Sequence, residues 1–468
     1  MYQLNAGQVH SQALMASPLF FQFIFISLFA FAVPALAQVP ANQTFRFVNQ
    51  GEFGEYIIEY DASYRIIRND VYSFFNHPFR LCFYNTTPDA HIFAIRAGVP
   101  RDEDLMRWVW DANRNDPVRE NATLTFGEDG NFVLADVDGR VVWQTNTANK
   151  GVTGIRLLAN GNLVLFDKNG NFVWQSFDYP TDTLLVGQSV RINGRNKLVS
   201  RTSDVDGSDG PYSIVLDHNG FVMYLNNSGQ QLIYGGWRIR DFGNIVTFTI
   251  VPVNENATAY ELVLRHEQVN QSTISVAGNG RRLLQVRPIG GGDTLNLNKL
   301  NYNATISFLR LGSDGNLKAF TYYDQVSYLK WDESFAFFSS YFVRECALPS
   351  KCGSFGLCDK RMCVACPSPK GLLGWSESCK PPKPVPCNGG AKINYYKIVG
   401  VEHFLNPYFD DGEGPVKVEQ CRDKCSKDCK CLGFIYKEDT SKCLTVPVLG
   451  TLIKDVNATS VGYIKYSN

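Results

Sequence analysis

Phe132 and Leu134 stand two residues apart, flanked by Asn131, Val133 and Ala135; Leu163 and Leu165 repeat the arrangement 31 residues later, flanked by Asn162, Val164 and Phe166. Positions two apart share one face of a strand. The pattern therefore predicts strands that turn Phe132, Leu134, Leu163 and Leu165 to a core and the other set outward. It belongs to a longer repeat: residues 129–146 and 160–177 match at nine of eighteen positions, including two glycines and a Trp-Gln pair. Each copy predicts two short strands joined at Asp138-Gly139 or Asn169-Gly170, dipeptides that suit the positive φ angles of a type I′ hairpin turn. A unit recurring at fixed spacing is one supersecondary element used repeatedly. Arg107-Trp-Val-Trp-Asp-Ala-Asn113 echoes Val142-Trp-Gln-Thr-Asn146, which predicts a third, degenerate copy ahead of the other two. Trp110, Trp143 and Trp174 then fall 33 and 31 residues apart, as expected of a threefold all-β unit with a shared aromatic core.

The first 45 residues contain no Asp, Glu, Lys or Arg, and the apolar run over 19–37 ends in Ala35-Leu-Ala37. Small residues at −3 and −1 after a short apolar stretch predict a secretory signal at 1–37, whether Met1 or Met15 initiates. The run is short for a membrane anchor and is broken by Pro34; no other stretch has the length and lack of charge to cross a bilayer, so the mature chain is expected to have no membrane span. Asn-X-Ser/Thr sequons at Asn42, Asn85, Asn121, Asn226, Asn256, Asn270, Asn303 and Asn457 fit a surface glycoprotein of the secretory route. The 45 basic and 45 acidic residues balance, so net charge recruits neither nucleic acid nor anionic lipid.

Cysteine use divides the chain. Cys82 stands alone in the first 345 residues, while twelve cysteines crowd between Cys346 and Cys443. They form two sets of six around the linker Pro381-Pro-Lys-Pro-Val-Pro386: Cys346, Cys352, Cys358, Cys363, Cys366 and Cys379, then Cys387, Cys421, Cys425, Cys429, Cys431 and Cys443. Even, clustered sets in an oxidising compartment predict small units held by disulfides rather than zinc knuckles. Cys82 is either buried as a thiol or bonded between molecules.

The Asp-Gly-Asn-X-Val-Leu repeat, followed by Val-Trp-Gln-Ser-Phe-Asp-Tyr-Pro-Thr-Asp-Thr-Leu-Leu over 173–185, resembles the bulb-type mannose-binding lectin domain and, more narrowly, plant S-locus-type glycoproteins. With no kinase in the sequence, the chain is most similar to the secreted EP1-like branch. The resemblance implies an all-β architecture: a β-prism of three four-stranded sheets over 38–190, a second diverged prism over 191–340, an EGF-like module over 344–380 and a PAN/apple module over 387–468. The β-rich runs 245–251 and 304–311, with strand starts at Asp217 and Asp314, are compatible with the second prism. The resemblance also implies the pairs Cys346–Cys358, Cys352–Cys363, Cys366–Cys379, Cys421–Cys443, Cys425–Cys431 and Cys387–Cys429. Spacing alone does not choose among the fifteen connectivities open to six cysteines.

The family's sugar motif is Gln-X-Asp-X-Asn-X-Val-X-Tyr, whose spacing of two aligns its side chains on one strand face. This sequence carries it in eroded form. The first copy reads Gly127, Asp129, Asn131, Val133, Ala135; the second Leu158, Asn160, Asn162, Val164, Phe166; a later strand Gly312, Asp314, Asn316, Lys318, Phe320. Each lost hydrogen bond removes about 0.5–1.5 kcal/mol. Monosaccharide binding is thus expected to be about ten- to a thousandfold weaker than at an intact motif, with avidity for branched glycans the means of recovery. Asp/Asn-Gly-Asn is equally good turn chemistry and starts a hairpin strand whether or not sugar binds.

Six histidines (His10, His77, His91, His218, His266 and His403) are scattered, and no metalloprotease, nucleophile-elbow or P-loop motif occurs. Asp204-Val-Asp-Gly-Ser-Asp-Gly210 begins like a calcium loop but has Asp209 and Val215 at positions six and twelve, so it reads as a polar turn. No catalytic residue, metal or cofactor is expected. Two readings remain open: a secreted, non-catalytic lectin binding mannose-type glycans on extracellular glycoproteins, or a structural or protein-interaction glycoprotein of the cell wall whose PAN/apple module contacts a protein partner.

Overall fold

Trp110, Trp143 and Trp174 meet edge to face where three sheets converge. Their ring centroids lie 5.7–6.3 Å apart at interplanar angles of 73–77°. In this geometry the electropositive edge of one ring meets the electronegative face of the next. Trp110 sits on Arg107–Asp111, the edge of a six-stranded sheet. Trp143 sits on Val141–Gln144, in a sheet with Phe45–Val48, Thr123–Phe126 and Phe132–Ala135. Trp174 sits on Phe172–Gln175, in a sheet with Val152–Leu157 and Leu163–Asp167. Phe132, Leu134, Leu163 and Leu165 are fully buried in the core that these sheets enclose. The computed structural model describes residues 39–467 apart from 54, 58–61, 99–105, 239–241, 254–258, 268–292, 301–305, 323–330, 340–342, 384–391 and 456–457; the expected signal at 1–37 lies outside the described residues.

Two expectations change in detail. The sheets of this prism hold six, four and three strands, not four each. The added strands Glu55–Ile57, Ala62–Ile66 and Phe75–Asn76 enlarge the first, and the third ends when the chain turns at Ser176–Asp178 toward the next unit. The hairpin turns are also not type I′. Gly139 and Gly170 have φ of 85° and 80°, while Asp138 and Asn169 stay at negative φ. The amide of Gly139 bonds the Asp136 carbonyl and that of Asp136 the Arg140 carbonyl, and residues 167–171 repeat this. That is a type I turn closed by a glycine bulge, which asks positive φ of one residue only.

A second prism follows, of three four-stranded sheets. Thr183–Leu185, Ser189–Arg191 and Lys197–Arg201 each add an edge strand to a different sheet, so one continuous passage threads all three. The boundary expected at 190/191 runs through this passage. The sheet containing Thr183–Leu185 and Ser307–Leu311 separates the two cores. Leu184 and Leu309 pack into the second, while their strand neighbours Leu185 and Phe308 pack into the first.

A buried ionic node locks the prisms together. Arg201 is 2% exposed and donates to Asp182 at 2.9 Å, to Asp111 at 2.7 Å and to the Tyr84 hydroxyl at 2.7 Å. Burial opposes ionisation of Asp182, but Arg201, Arg310 and Arg114 outweigh it and hold the carboxyl well below its ordinary range. Asp111, with weaker compensation, is raised by its burial.

The cysteine-rich segments form two sheets. Phe355–Asp359, from before the proline-rich stretch, pairs in parallel with Gly450–Lys454, from near the chain's end, within one five-stranded sheet. The second sheet (Ile393–Val399, Ser460–Ser467, Gly433–Lys437, Lys442–Val446) packs against the helix Val418–Lys427, whose Cys421 and Cys425 share its buried side. Disulfides join Cys346–Cys358, Cys352–Cys363, Cys366–Cys379, Cys421–Cys443 and Cys425–Cys431, as the resemblance implied. Cys429 is disulfide-bonded; its expected partner Cys387 lies outside the described residues. Cys82 is buried and takes part in no disulfide.

His403 is fully buried where the two cysteine-rich segments join. Its Nδ1 accepts the Leu405 amide, so Nε2 carries the proton and donates to the carbonyls of Val448 and Leu449, each at 3.0 Å. Burial lowers its pKa from 6.5 to about 4.

Two predictions follow from these buried groups. Arg201→Met leaves two buried carboxylates without their cation and is expected to cost about 3–5 kcal/mol in urea unfolding; a loss below about 1 kcal/mol would refute the node. For His403, the unfolded state takes up a proton near pH 6.5 and the folded state only near 4. Stability is thus lost as pH falls through that window, by about 3 kcal/mol. His403→Leu should flatten this part of the stability–pH curve; an unchanged slope argues against a neutral buried imidazole.

Candidate carbohydrate-binding face

The three motif copies open with one local device. The amides of Gly130, Gly161 and Gly315 bond the carbonyls of Gly127, Leu158 and Gly312, and these glycines have φ of 76°, 84° and 83°. A Cβ on Gly161 would lie 2.6 Å from Leu185 and 2.8 Å from Phe79, so the turn also needs glycine for space. The preceding carboxylate or amide closes an Asx turn: the side chains of Asp129, Asn160 and Asp314 accept the amides of Asn131, Asn162 and Asn316.

The motif asparagines turn inward from there. Asn131 is 8% exposed. Its Oδ1 accepts the Thr145 hydroxyl and the Thr147 amide, each at 3.1 Å, and its Nδ2 donates to Gln144 Oε1 at 2.8 Å. Asn162 is 3% exposed and repeats the scheme with the Ser176 hydroxyl, the Phe177 amide and Gln175. Asn316 accepts the Phe338 amide and donates to the Phe338 carbonyl. Each asparagine thus clamps the backbone that leaves its hairpin's second strand. The Trp-Gln pair seen in the sequence is the other half of the device: tryptophan fills the core and glutamine receives the asparagine. Its repetition was the available signal for this role, which the sequence reading did not assign.

The outward rows differ. In the first copy Val133 and Ala135 are half-buried, Asp129 and Gln144 are exposed, and Thr125 and Thr123 stand opposite Val133 and Ala135. The exposed Gln144, whose oxygen accepts from Asn131, presents its own amide hydrogens as donors at this face. In the second copy Val164 is 1% exposed. Phe166, in the place of the motif tyrosine, lies across Gly154, where a Cβ would sit 2.5 Å from its ring, and the Arg156 guanidinium covers Phe166 at 5.3 Å. Gln175 is drawn aside to Asp178 at 3.0 Å. In the third copy Lys318 pairs with Glu333 at 3.0 Å. These two border a cavity of about 330 Å³ shared with Glu345, Ser350 and Lys351 of the cysteine-rich region; burial raises the Asp314 pKa there.

Among the sequons, Asn42, Asn121 and Asn226 are exposed and Asn85 is half-buried; Asn256, Asn270, Asn303 and Asn457 lie outside the described residues. In the calcium-like loop the Asp206 carboxylate takes the amide and hydroxyl of Ser208, which is turn chemistry.

Comparison with known proteins places these features. Residues 107–204 match the D-mannose binding lectin family. EP1-like glycoprotein 2 of Arabidopsis thaliana is 64% identical over 438 residues, covering 92% of this chain and 96% of the relative. The epidermis-specific secreted glycoprotein EP1 of Daucus carota is 45% identical over 385 residues, covering 77% of this chain and 92% of that protein. A more distant relative, the G-type lectin S-receptor-like serine/threonine-protein kinase B120 of Arabidopsis thaliana, is 27% identical over 378 residues, which span 76% of this chain and 40% of the kinase. Among the described residues, no helix is long and apolar enough to cross a membrane.

The clamp makes a prediction of its own. Asn131→Ala and Asn162→Ala each strip the acceptor from a buried backbone amide and are expected to cost about 1–3 kcal/mol. Equilibrium unfolding reads this directly, with no sugar present; unchanged midpoints would show that these side chains are not structural.

Proposed function

Because the chain belongs to the EP1-like glycoproteins of plants, we propose that it is a secreted, non-catalytic lectin-fold glycoprotein that makes weak contacts with mannose-type glycans on extracellular glycoproteins. The supporting observation is the open outward face of the first repeat. There Asp129 and Gln144 flank the apolar floor of Val133, whereas the second row is filled by Phe166 and Arg156 and the third is bridged by an ion pair. Hydroxyl recognition by an amide and a carboxylate, with a C–H face resting on valine, suits a neutral pyranose. One shallow site gives low intrinsic affinity, and useful retention then comes from several copies meeting a multiply glycosylated surface.

A second reading draws on the same rows. Asn131 and Asn162 serve the architecture, and two of three faces are occupied by the chain's own side chains. This favours a structural or interaction glycoprotein of the cell wall, in which the prisms are scaffold and the cysteine-rich EGF-like and PAN/apple modules contact a protein partner.

A glycan array with the enzymatically deglycosylated protein separates the readings. The lectin reading expects a high-mannose signal that is lost in Val133→Asp while the thermal midpoint stays within a degree or so of the parent. A flat array removes the lectin reading and leaves the interaction glycoprotein.

A further inference from the structure

The junction of the two prisms encloses a second candidate site, separate from the repeat rows. A cleft of about 670 Å³ opens between residues 110–116 and 142–143 of the first prism, residues 179–181 of the connecting passage and residues 194–197, Val199 and Asp209 of the second. Its volume falls in the range of roughly 300–1,000 Å³ typical of small-ligand sites. Trp110, Trp143 and Tyr179 supply its apolar wall. Tyr179 is held in place: its ring stacks on Trp174 at 5.5 Å and its carbonyl accepts the Trp110 indole N–H at 3.0 Å. Tyr179 is 38% exposed, with the Arg195 guanidinium 5.1 Å above its ring.

The pairing of charges along the wall indicates the ligand. Three carboxylates line the cleft, and each already has an arginine: Asp111 has Arg201, Asp116 has Arg140 and Asp209 has Arg114. The cations are not matched in the same way. Among the described residues neither Arg195 nor Lys197 has a carboxylate partner. Both stand exposed on the cleft wall, whereas Arg114 is buried and committed to Asp209 and the Val199 carbonyl. A guanidinium and an ammonium on one wall with no carboxylate of their own are matched best by an added oxyanion.

We propose that this cleft binds an acidic oligosaccharide, with a uronate carboxylate held by Arg195 and Lys197 and its pyranose ring against Tyr179 and Trp143. A neutral glycan leaves the cations unanswered. A carboxylated ring satisfies both halves of the lining at once. The proposal does not rest on mannose recognition by the strand row, which uses different residues.

Calorimetric titration of the deglycosylated full chain with trigalacturonate, and separately with mannotriose, tests it. Trigalacturonate should bind with an affinity that falls as salt is raised. Arg195→Gln and Lys197→Gln should each weaken it by about ten- to a hundredfold. Both side chains are exposed, so folding should be preserved, and Lys150→Gln, an exposed cation that does not line the cleft, should leave binding unchanged. Absence of trigalacturonate binding, equal binding by the Arg195 and Lys197 variants, or displacement by mannotriose would each overturn the proposal. None of these results bears on the strand-row reading, which is scored by high-mannose glycans and the Val133 variant.

Discussion

A primary amide shut away from water must find partners for its oxygen and its hydrogens, and that requirement organises the repeat. Asn131 and Asn162 meet it by gripping the backbone just past the tryptophan strand and by donating to the glutamine beside that tryptophan. The glycine bulge turns the chain so that the asparagine points inward, the clamp fixes where the next segment departs, and the tryptophans come together as a result. A motif associated with sugar recognition therefore persists here for an architectural reason, whatever its outward row does. The positions free of that duty have drifted: Gly127 for glutamine, Ala135 and Phe166 for tyrosine, Lys318 for valine.

The same logic operates at larger scale between the prisms. Residues 178–185 belong to the stretch by which the sequence most resembles its family, yet none of them lies in a strand row. Asp182 is the buried acceptor of Arg201, Leu184 and Leu185 divide between two cores, and Tyr179 forms a wall of the inter-prism cleft. A charge pair so far from water holds only if both partners stay, which couples the first prism (Asp111, Tyr84) to the second (Arg201). The junction is thus rigid by construction, and a rigid junction is what lets a cleft keep its shape.

Much of the fold was legible. Phe132, Leu134, Leu163 and Leu165 announced their burial by period-two placement, and three tryptophans at near-equal spacing announced a common centre. The disulfides were legible only through the resemblance, because spacing is silent on connectivity. Other features were hidden. Whether Asp138 or only Gly139 takes positive φ depends on the hairpin's twist. That Phe355–Asp359 lies in parallel beside Gly450–Lys454 depends on a contact across nearly a hundred residues. At the site, the sequence located the rows and their erosion, but Phe166 covering Gly154 and Asn131 facing inward needed coordinates.

By itself, then, the sequence determined the repeat, the strand faces, the turn glycines, the cysteine-rich region and the family, because these rest on interactions between residues near in the chain or on periodicity that a strand obeys locally. Only the tertiary structure decided which polar side chains remain available. Asn131, Asp182, Arg201 and Arg195 are all plain polar letters in the sequence. What separates a clamp, a buried ion pair and an unanswered cation is the set of partners brought to each from distant segments, together with the loss of water that makes those partners necessary.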